Sequence, residues 1–264
     1  MLTLEAVSYR YAGASGKSLR DIDLSLSEGE VVGVVGASEA GKSTLALVVS
    51  GLAPRSIGGA LEGRLLIDGE DVLGQPMHAM AAVVGICFQN PHTQLSQVAD
   101  TVFEEVAFGP LNLGIDRLDV ISRVTEALDG LGIVDLAERD PRRLSGGQMQ
   151  LVAVAGLLAM RPRHLVLDEP TAQLDPEGKE LVAQALLRLA GSGTAMLICE
   201  HDTDLLARLC SRVVALDGGT IAHSGATAEF LADPRLVELG VQPPGRVRLR
   251  RALESAGLQV DLPT

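Results

Sequence analysis

Aromatic residues are scarce in this 264-residue chain, which contains no tryptophan, two tyrosines and four phenylalanines. We therefore expect a core of Val, Leu, Ile and Ala. The three cysteines form no C-x-x-C pair, which excludes a disulfide framework and a zinc knuckle and is typical of a reducing cytosol. No apolar run approaches the ~20 residues of a membrane-spanning helix, and the first residues lack the layout of a signal peptide. If the protein acts at a membrane, we expect another chain to cross it.

Basic residues are outnumbered by acidic ones. Lys and Arg number 22 against 34 for Asp and Glu, so the formal net charge is −12. A surface of that charge repels phosphate backbones, and we expect no nucleic-acid partner. Apolar residues make up 47% and charged residues 21%, which is typical of a folded domain.

Short β-branched runs alternate with helical stretches, which predicts an α/β fold with a largely parallel central sheet. The first seventy residues instead alternate apolar and polar positions, as antiparallel strands do. Helical periodicity then predicts an inserted helical subdomain at about 90–160. We place a main domain at 1–225 and a helical extension at 226–264. The predicted buried strands are 31–35, 165–167, 195–199 and 212–216, with a helix at 176–189 between the second and third.

A phosphate-binding loop follows the strand at 31–35 directly. It matches G-x-x-x-x-G-K-[ST] between a strand and a helix, where backbone N–H groups form an anion site. Lys42 is expected to reach the β- and γ-phosphates, and the Ser43 hydroxyl to bind Mg²⁺. The loop consists of Gly36, Ala37, Ser38, Glu39, Ala40, Gly41, Lys42, Ser43 and Thr44.

Two local features qualify this loop. Glu39 places a carboxylate in a loop built for anions, and should point away or weaken the site. The similar stretch 13–18 lacks the first glycine, because Tyr11 occupies that position. We therefore interpret 13–18 as a solvated turn.

Two acids end the strand at 165–167. In phosphate-loop folds, the neighbouring strand brings an Asp to Mg²⁺, which assigns Asp168 to the metal. Glu169 is placed to polarise the attacking water as a general base. A second phosphate-binding helix end follows Ser145, an N-cap residue before Gly146 and Gly147. One nucleotide needs only one such cradle.

The order of phosphate loop, LSGGQ, LVLDEP and a later His201 resembles that of ABC-type ATPases. The resemblance implies a P-loop NTPase with a RecA-like core and an antiparallel β-subdomain, which binds ATP and Mg²⁺. It implies a head-to-tail dimer in which the LSGGQ of one copy closes over the γ-phosphate held by the other. The trans residues would be Ser145, Gly146, Gly147 and Gln148. In the same resemblance, Tyr11 corresponds to the aromatic residue that stacks on adenine, and Gln89 corresponds to the glutamine that senses Mg²⁺ and water. Asp175 corresponds to the D-loop residue, and His201 corresponds to the switch histidine.

The segments 88–94 and 105–114 closely resemble those of ATPases from energy-coupling factor transporters. This resemblance implies an importer of vitamins or transition-metal ions such as cobalt or nickel, at the cytoplasmic face of the plasma membrane. The implied partners are an identical or paralogous ATPase, a transmembrane coupling subunit and a substrate-binding membrane subunit. The break at Pro243-Pro244 and the helix after it are similar to the extension that helps hold the dimer in that family. The basic cluster at 246–251 either serves that contact, faces anionic lipid or is a solvated helix face.

Departures from that family leave alternatives open. His92 and Thr93 stand where the family usually has an acid, so Asp100 or Glu104 substitutes for it, or the groove recognises another partner. Glu39 stands where Gly is usual.

Three other functions are compatible with the sequence. The chain is the ATPase of an ordinary ABC importer or exporter, an ABC protein that acts on nucleic acid or ribosomes, or a degenerate subunit that binds ATP without cleaving it.

Overall fold

Ten strands lie in residues 1–256, the part of the chain that this computed structural model describes. In chain order they are β1, Leu2–Arg10; β2, Leu19–Leu26; β3, Val31–Val35; β4, Ala60–Ile67; β5, Glu70–Asp71; β6, Val84–Cys87; β7, His164–Asp168; β8, Ala195–Cys199; β9, Arg212–Asp217; and β10, Thr220–Ala226. The antiparallel sheet has the order β2-β1-β4-β5. The central sheet has the order β10-β9-β3-β8-β7-β6, in which only the pair β9–β10 is antiparallel.

Ten α-helices connect and cover these sheets within the same described range. They are α1, Lys42–Val49; α2, Leu52–Arg55; α3, Met77–Ala81; α4, Val102–Asn112; α5, Arg117–Leu131; α6, Gly146–Ala159; α7, Pro176–Gly191; α8, Thr203–Leu209; α9, Thr227–Ala232; and α10, Gly245–Ser255. Together with the sheets they confirm the predicted α/β fold and all four predicted buried strands. No helix in residues 1–256 has the length and apolar character needed to cross a bilayer.

β3 lies between β9 and β8 and is buried along its whole length. Val31 and Val35 pack into the core on the side of α4–α7, while Val32 and Val34 pack on the side of α1 and the antiparallel sheet. A strand with both faces covered needs no polar position, which explains its uninterrupted apolar sequence. The carboxyl ends of β3, β8, β7 and β6 consequently share one edge of the sheet.

Helices α4, α5 and α6 form the predicted helical stretch. Ten of the fourteen residues of α6 are buried, because α4, α5 and α7 pack around it. The three helices begin at side-chain caps, namely Thr101, Asp116 and Ser145. Each cap satisfies a backbone N–H that the helix itself leaves unpaired. The extent of the subdomain, about 90–160, stays a prediction.

The C-terminal region has two parts with different packing. Phe230, Leu236 and Val241 are buried in the core shared with α4–α7. α10 buries none of its residues. Residues after the boundary predicted at 225 therefore pack into the same core as residues before it. The division into a main domain and an extension stays a prediction. The last eight residues of the predicted extension lie outside the described residues.

The three cysteines are free and buried. Burial raises the pKa of the Cys87 and Cys210 thiols to about 12, so both remain protonated at neutral pH. Thiols in that state are inert as nucleophiles.

Candidate nucleotide-binding site

The loop between β3 and α1 depends on glycine at both ends. At Gly36, where φ is 153°, an added Cβ would lie 2.4 Å from the Leu216 carbonyl oxygen. At Gly41, where φ is 109°, it would lie 3.0 Å from the Ser18 carbonyl oxygen. Neither position accepts a side chain without displacing backbone, so the loop is held in one shape in front of the α1 N-terminus.

Lys42 is the first residue of α1 and is only 5% exposed. Its Nζ donates hydrogen bonds of 3.1 Å to the carbonyl oxygens of Gly36 and Ala37. These acceptors are neutral, so they orient the ammonium without cancelling its charge. Together with the loop's backbone N–H groups, this charge favours an anion in front of the loop.

Ser43 and Asp168 meet across the gap between α1 and the end of β7. The Ser43 Oγ donates to Asp168 Oδ1 at 3.1 Å. Burial raises the pKa of Asp168, and the bond from Ser43 offsets part of this effect. A hydroxyl and a carboxylate are hard oxygen ligands of the kind that Mg²⁺ prefers, so the pair fits that ion.

Glu169 is contacted from two sides. Gln89 Nε2 donates to Oε2 at 3.0 Å, and His201 Nε2 lies 3.1 Å from Oε1. The three residues follow β6, β7 and β8, whose carboxyl ends are adjacent in the sheet. The topology therefore brings together, from distant parts of the sequence, a carboxylate flanked by an amide and an imidazole.

Glu200 also supports this site, although no sequence motif includes it. Its carboxylate is buried and accepts from the backbone N–H groups of Thr171, His201 and Asp202, as well as from the Thr171 hydroxyl. It therefore fixes the backbone on which His201 stands. The only signal in the sequence was an acid at the end of an apolar strand, which is common at surfaces too.

The second glycine pair lies at the start of α6, where Ser145 and Gln148 form a reciprocal capping box. An added Cβ at Gly147 would lie 2.8 Å from the Gly178 Cα, so α6 and α7 touch through their glycines. Asp175 caps α7 by accepting from the Gly178 N–H at 2.7 Å. Ser145 and Gly146 are exposed, and the lining of this chain's own cleft comes from other residues.

A cleft of about 580 Å³ lies in front of the phosphate loop, with Glu169 and His201 in its wall. The turn at 13–18 also reaches it, since Lys17 and Ser18 are part of the lining. The stretch is an exposed turn, as predicted, and its last two residues also line the cleft. Tight packing of the Ser18 carbonyl against Gly219 brings the turn there, and no local pattern could reveal that contact. Two further stretches complete the lining, Arg20 and Gly218–Gly219.

Tyr11 and Glu39, both predicted to bind the nucleotide, differ in position: Glu39 lines the cleft, whereas Tyr11 is not among its lining residues. The Tyr11 hydroxyl is hydrogen-bonded to Thr44 Oγ1 at 3.1 Å, and its ring packs edge-on against Tyr9. Glu39 is exposed in a left-handed conformation, with φ of 66°, and lines the cleft. The expectation that its carboxylate points away or weakens the site stays a prediction.

A smaller groove of about 130 Å³ lies between the segment after β6 and helices α4 and α6, with Leu95, Phe108 and Met160 in its lining. Its one carboxylate is Glu105, which is buried and accepts from the Ser96 backbone and hydroxyl.

Each of the two acids considered as substitutes has contacts of its own, and the role of either as a substitute stays a prediction. Glu104 completes the Thr101 capping box, and Asp100 is exposed and lies 3.7 Å from Arg142. Neither is part of the groove lining.

The chain is similar to known proteins over most of its length. Residues 19–172 match the model of the family described as ABC transporter. The chain is 37% identical over 265 residues to the energy-coupling factor transporter ATP-binding protein EcfA of Methanothermobacter thermautotrophicus, covering 99% of this chain and 83% of that protein. Its EcfA counterpart in Methanosphaera stadtmanae is 38% identical over 240 residues, covering 90% and 84%.

Solved structures show the same likeness. CbiO1 of Clostridium perfringens, described as part of the ABC transporter complex CbiONQ, superposes with a TM-score of 0.79 at 29% identity, covering 97% of this chain and 96% of that one. The ATP-binding cassette MJ0796, solved as a dimer bound to ADP and Pi, superposes with a TM-score of 0.72 at 26% identity, covering 86% and 99%.

Proposed function

We propose a specific role for this chain, which belongs to the ABC transporter family: it is the ATPase subunit of an energy-coupling factor importer of vitamins or transition-metal ions. The family establishes an ATP-hydrolysing transporter subunit. Support for the finer role comes from the similarity to two EcfA proteins and to CbiO1, over nearly the full length of the chain.

The observation that carries the hydrolytic mechanism is the position of Glu169 between Gln89 and His201. We infer that Glu169 orients the attacking water and accepts its proton, while the two flanking groups hold the carboxylate in place. Lys42 and the loop N–H groups bind the phosphates. Ser43 and Asp168 would hold Mg²⁺, with Gln89 beside them, and the ion would neutralise developing charge on the phosphate oxygens.

The second half of the site would come from another copy or a paralogue. Ser145 and Gly146 are exposed at a helix start, away from this chain's own cleft. Helix N-termini bind anions, so we propose that this end closes over the γ-phosphate bound by the partner. Asp175, fixed to the same helix junction through Gly178, would face the partner as well.

We assign the membrane partner to the groove between α4 and α6. Its lining is mostly apolar, and the exposed Phe108 stands at its edge. Such a lining fits a short apolar helix of a transmembrane coupling subunit at the cytoplasmic face of the membrane. The segment from Gln89 to Gln94 links this groove to the catalytic carboxylate, since Gln94 bonds to the backbone of Phe88 and Ile86.

Substitution of Glu169 by Gln tests the catalytic assignment. We expect turnover to fall about 10²- to 10⁴-fold, the usual contribution of a general base, while ATP is still bound and the dimer accumulates. Turnover and molar mass in ATP·Mg²⁺ are the measurements, with Glu126→Gln as a surface control and Lys42→Ala as the phosphate-loop control. Normal turnover in the Glu169 variant would remove Glu169 from the base role.

Co-purification from membranes tests the transporter class. A small substrate-binding membrane protein together with a separate coupling subunit is the expected set. Recovery of two transmembrane domains alone would instead indicate an ordinary ABC importer or exporter. Tight, salt-sensitive binding of DNA or RNA would overturn both assignments.

A further inference from the structure

The segment 240–245, here called the strap, joins the end of the main core to α10. Val241, Pro243 and Pro244 are buried, although the strap has neither helix nor strand structure before Gly245. Two adjacent prolines restrict the backbone, so the buried segment has little freedom to rearrange. A rigid buried segment of this kind can hold the parts that contact its two ends in a fixed relative position.

One end of the strap lies against the phosphate loop. Gly240 has φ of 71°, and an added Cβ there would lie 3.0 Å from the Ala37 Cβ and 3.5 Å from its Cα. The carbonyl of Ala37 is one of the two acceptors that orient Lys42. The strap therefore packs directly behind a residue of the phosphate site.

The other end is hydrogen-bonded to the first turn of α8, directly after His201. The Thr203 hydroxyl donates to the Gln242 carbonyl at 2.8 Å. The Gly245 N–H donates to both carboxylate oxygens of Asp204, each at 3.0 Å. Thr203 is 4% exposed, so loss of its partner would leave a buried hydroxyl unpaired.

His201 is thus held from two directions. Glu200 fixes its backbone N–H from the side of the sheet, and the strap fixes the two residues at the start of α8. Its imidazole extends from this anchored backbone to Glu169. A displacement of the first turn of α8 would move the imidazole relative to the carboxylate that it orients.

We propose that Thr203 and Asp204 are positioning residues, through which the strap holds His201 in register with the phosphate loop for ATP hydrolysis. The inference rests on the proposed role of His201. Nucleotide binding depends mainly on the phosphate loop, whereas turnover depends on the geometry around Glu169. Damage to the strap should therefore lower kcat more than it changes KM for ATP.

Thr203→Val and Gly245→Pro test this arrangement in the full-length chain. Val removes the hydroxyl at nearly constant volume. Pro removes the Gly245 N–H at the first position of α10, where a helix tolerates proline. We expect kcat to fall about three- to tenfold, the loss that one hydrogen bond or a small displacement causes, and KM for ATP to change less than about twofold.

Thr227→Val is a matched control. Thr227 begins α9 and is 7% exposed, and its hydroxyl donates to the Cys210 carbonyl at 2.7 Å. It is therefore as buried as Thr203 but hydrogen-bonds at the opposite end of α8, where Cys210 is the C-cap. We expect a similar loss of thermal stability from both Val variants but unchanged kcat for Thr227→Val.

The His201→Ala background separates positioning from general destabilisation. Once the imidazole is absent, Thr203→Val should cause no further loss of kcat. Two results would overturn the proposal and leave the proposed function standing, provided that the wild-type chain still shows ATPase activity that Lys42→Ala removes. The first is unchanged kcat in both strap variants, and the second is an equal loss of kcat from Thr203→Val with and without His201. A wild-type chain without ATPase activity would overturn the proposed function and this inference together.

Discussion

Substitution of Glu200 by Gln should weaken the fold and the catalytic site together. The carboxylate accepts four hydrogen bonds, two at each oxygen: one oxygen faces the Thr171 N–H and hydroxyl, and the other faces the N–H groups of His201 and Asp202. Glutamine has only one acceptor oxygen. Its amide nitrogen must therefore face donors on one side or the other.

The two orientations differ in their cost. Against His201 and Asp202, the amide nitrogen would leave two backbone N–H groups unpaired. Against Thr171, the hydroxyl can turn and accept, and one N–H is left unpaired. A buried unpaired donor costs ~1–3 kcal/mol, and the remaining bonds lose the contribution of the charge. We therefore expect the free energy of unfolding to fall by about 2–4 kcal/mol, which is roughly 5–15 °C in Tm for a chain of this size.

Urea unfolding followed by circular dichroism measures this loss, with Glu126→Gln as the control. Glu126 is an exposed acid whose pKa is lowered by its hydrogen bonds to Arg161 and Ser122, and its substitution should have a far smaller effect. ATP turnover of Glu200→Gln should fall as well, because the backbone of His201 loses part of its anchor. A variant as stable as the wild type would refute the hydrogen-bond network described for Glu200.

Three further substitutions test other parts of the structure. Gly36→Ala should abolish ATP binding, measured by calorimetry, because its Cβ would lie 2.4 Å from the Leu216 carbonyl oxygen; normal affinity would contradict the loop geometry. Gly147→Ala should lower both Tm and dimer formation in ATP, since its Cβ would lie 2.8 Å from the Gly178 Cα. Burial lowers the pKa of His164 below its usual value of 6.5, so on acidification the unfolded chain binds a proton at this imidazole before the folded chain does. The free energy of unfolding should therefore decline as pH falls below about 6.5. His164→Leu should flatten that part of the pH profile, and an unchanged slope would assign it to other groups.

The strands that sequence predicted well were those whose burial is complete. β3, β7 and β8 are buried along their whole lengths, and their continuous apolar runs signalled this directly. β6 has only four residues, and Gly85 within it packs against Leu165 and Pro162, so its run was too short to stand out. β10 is an edge strand of alternating exposure, for which no pairing signal exists in its own residues.

The site shows the same division between local and non-local information. The phosphate loop is contiguous, so its motif specified the cradle, and the topology then brought Gln89, Glu169 and His201 together. Residues that reach the site through packing alone escaped detection. Lys17 enters the cleft because the β1–β2 turn packs on Gly219, and Glu200 joins the site because its acceptors face donors from two loops.

The shared acceptor at Glu169 gives the site two mechanical inputs. Gln89 begins the segment that leads to the groove between α4 and α6, and His201 begins the turn that the strap holds. Both side chains contact the same carboxylate, one at each oxygen. A displacement at either end would change a contact of Glu169 and, on the proposed mechanism, the orientation of this carboxylate. Signals from the groove and from the C-terminal region would then combine at one carboxylate, with no need for a direct connection between the two surfaces.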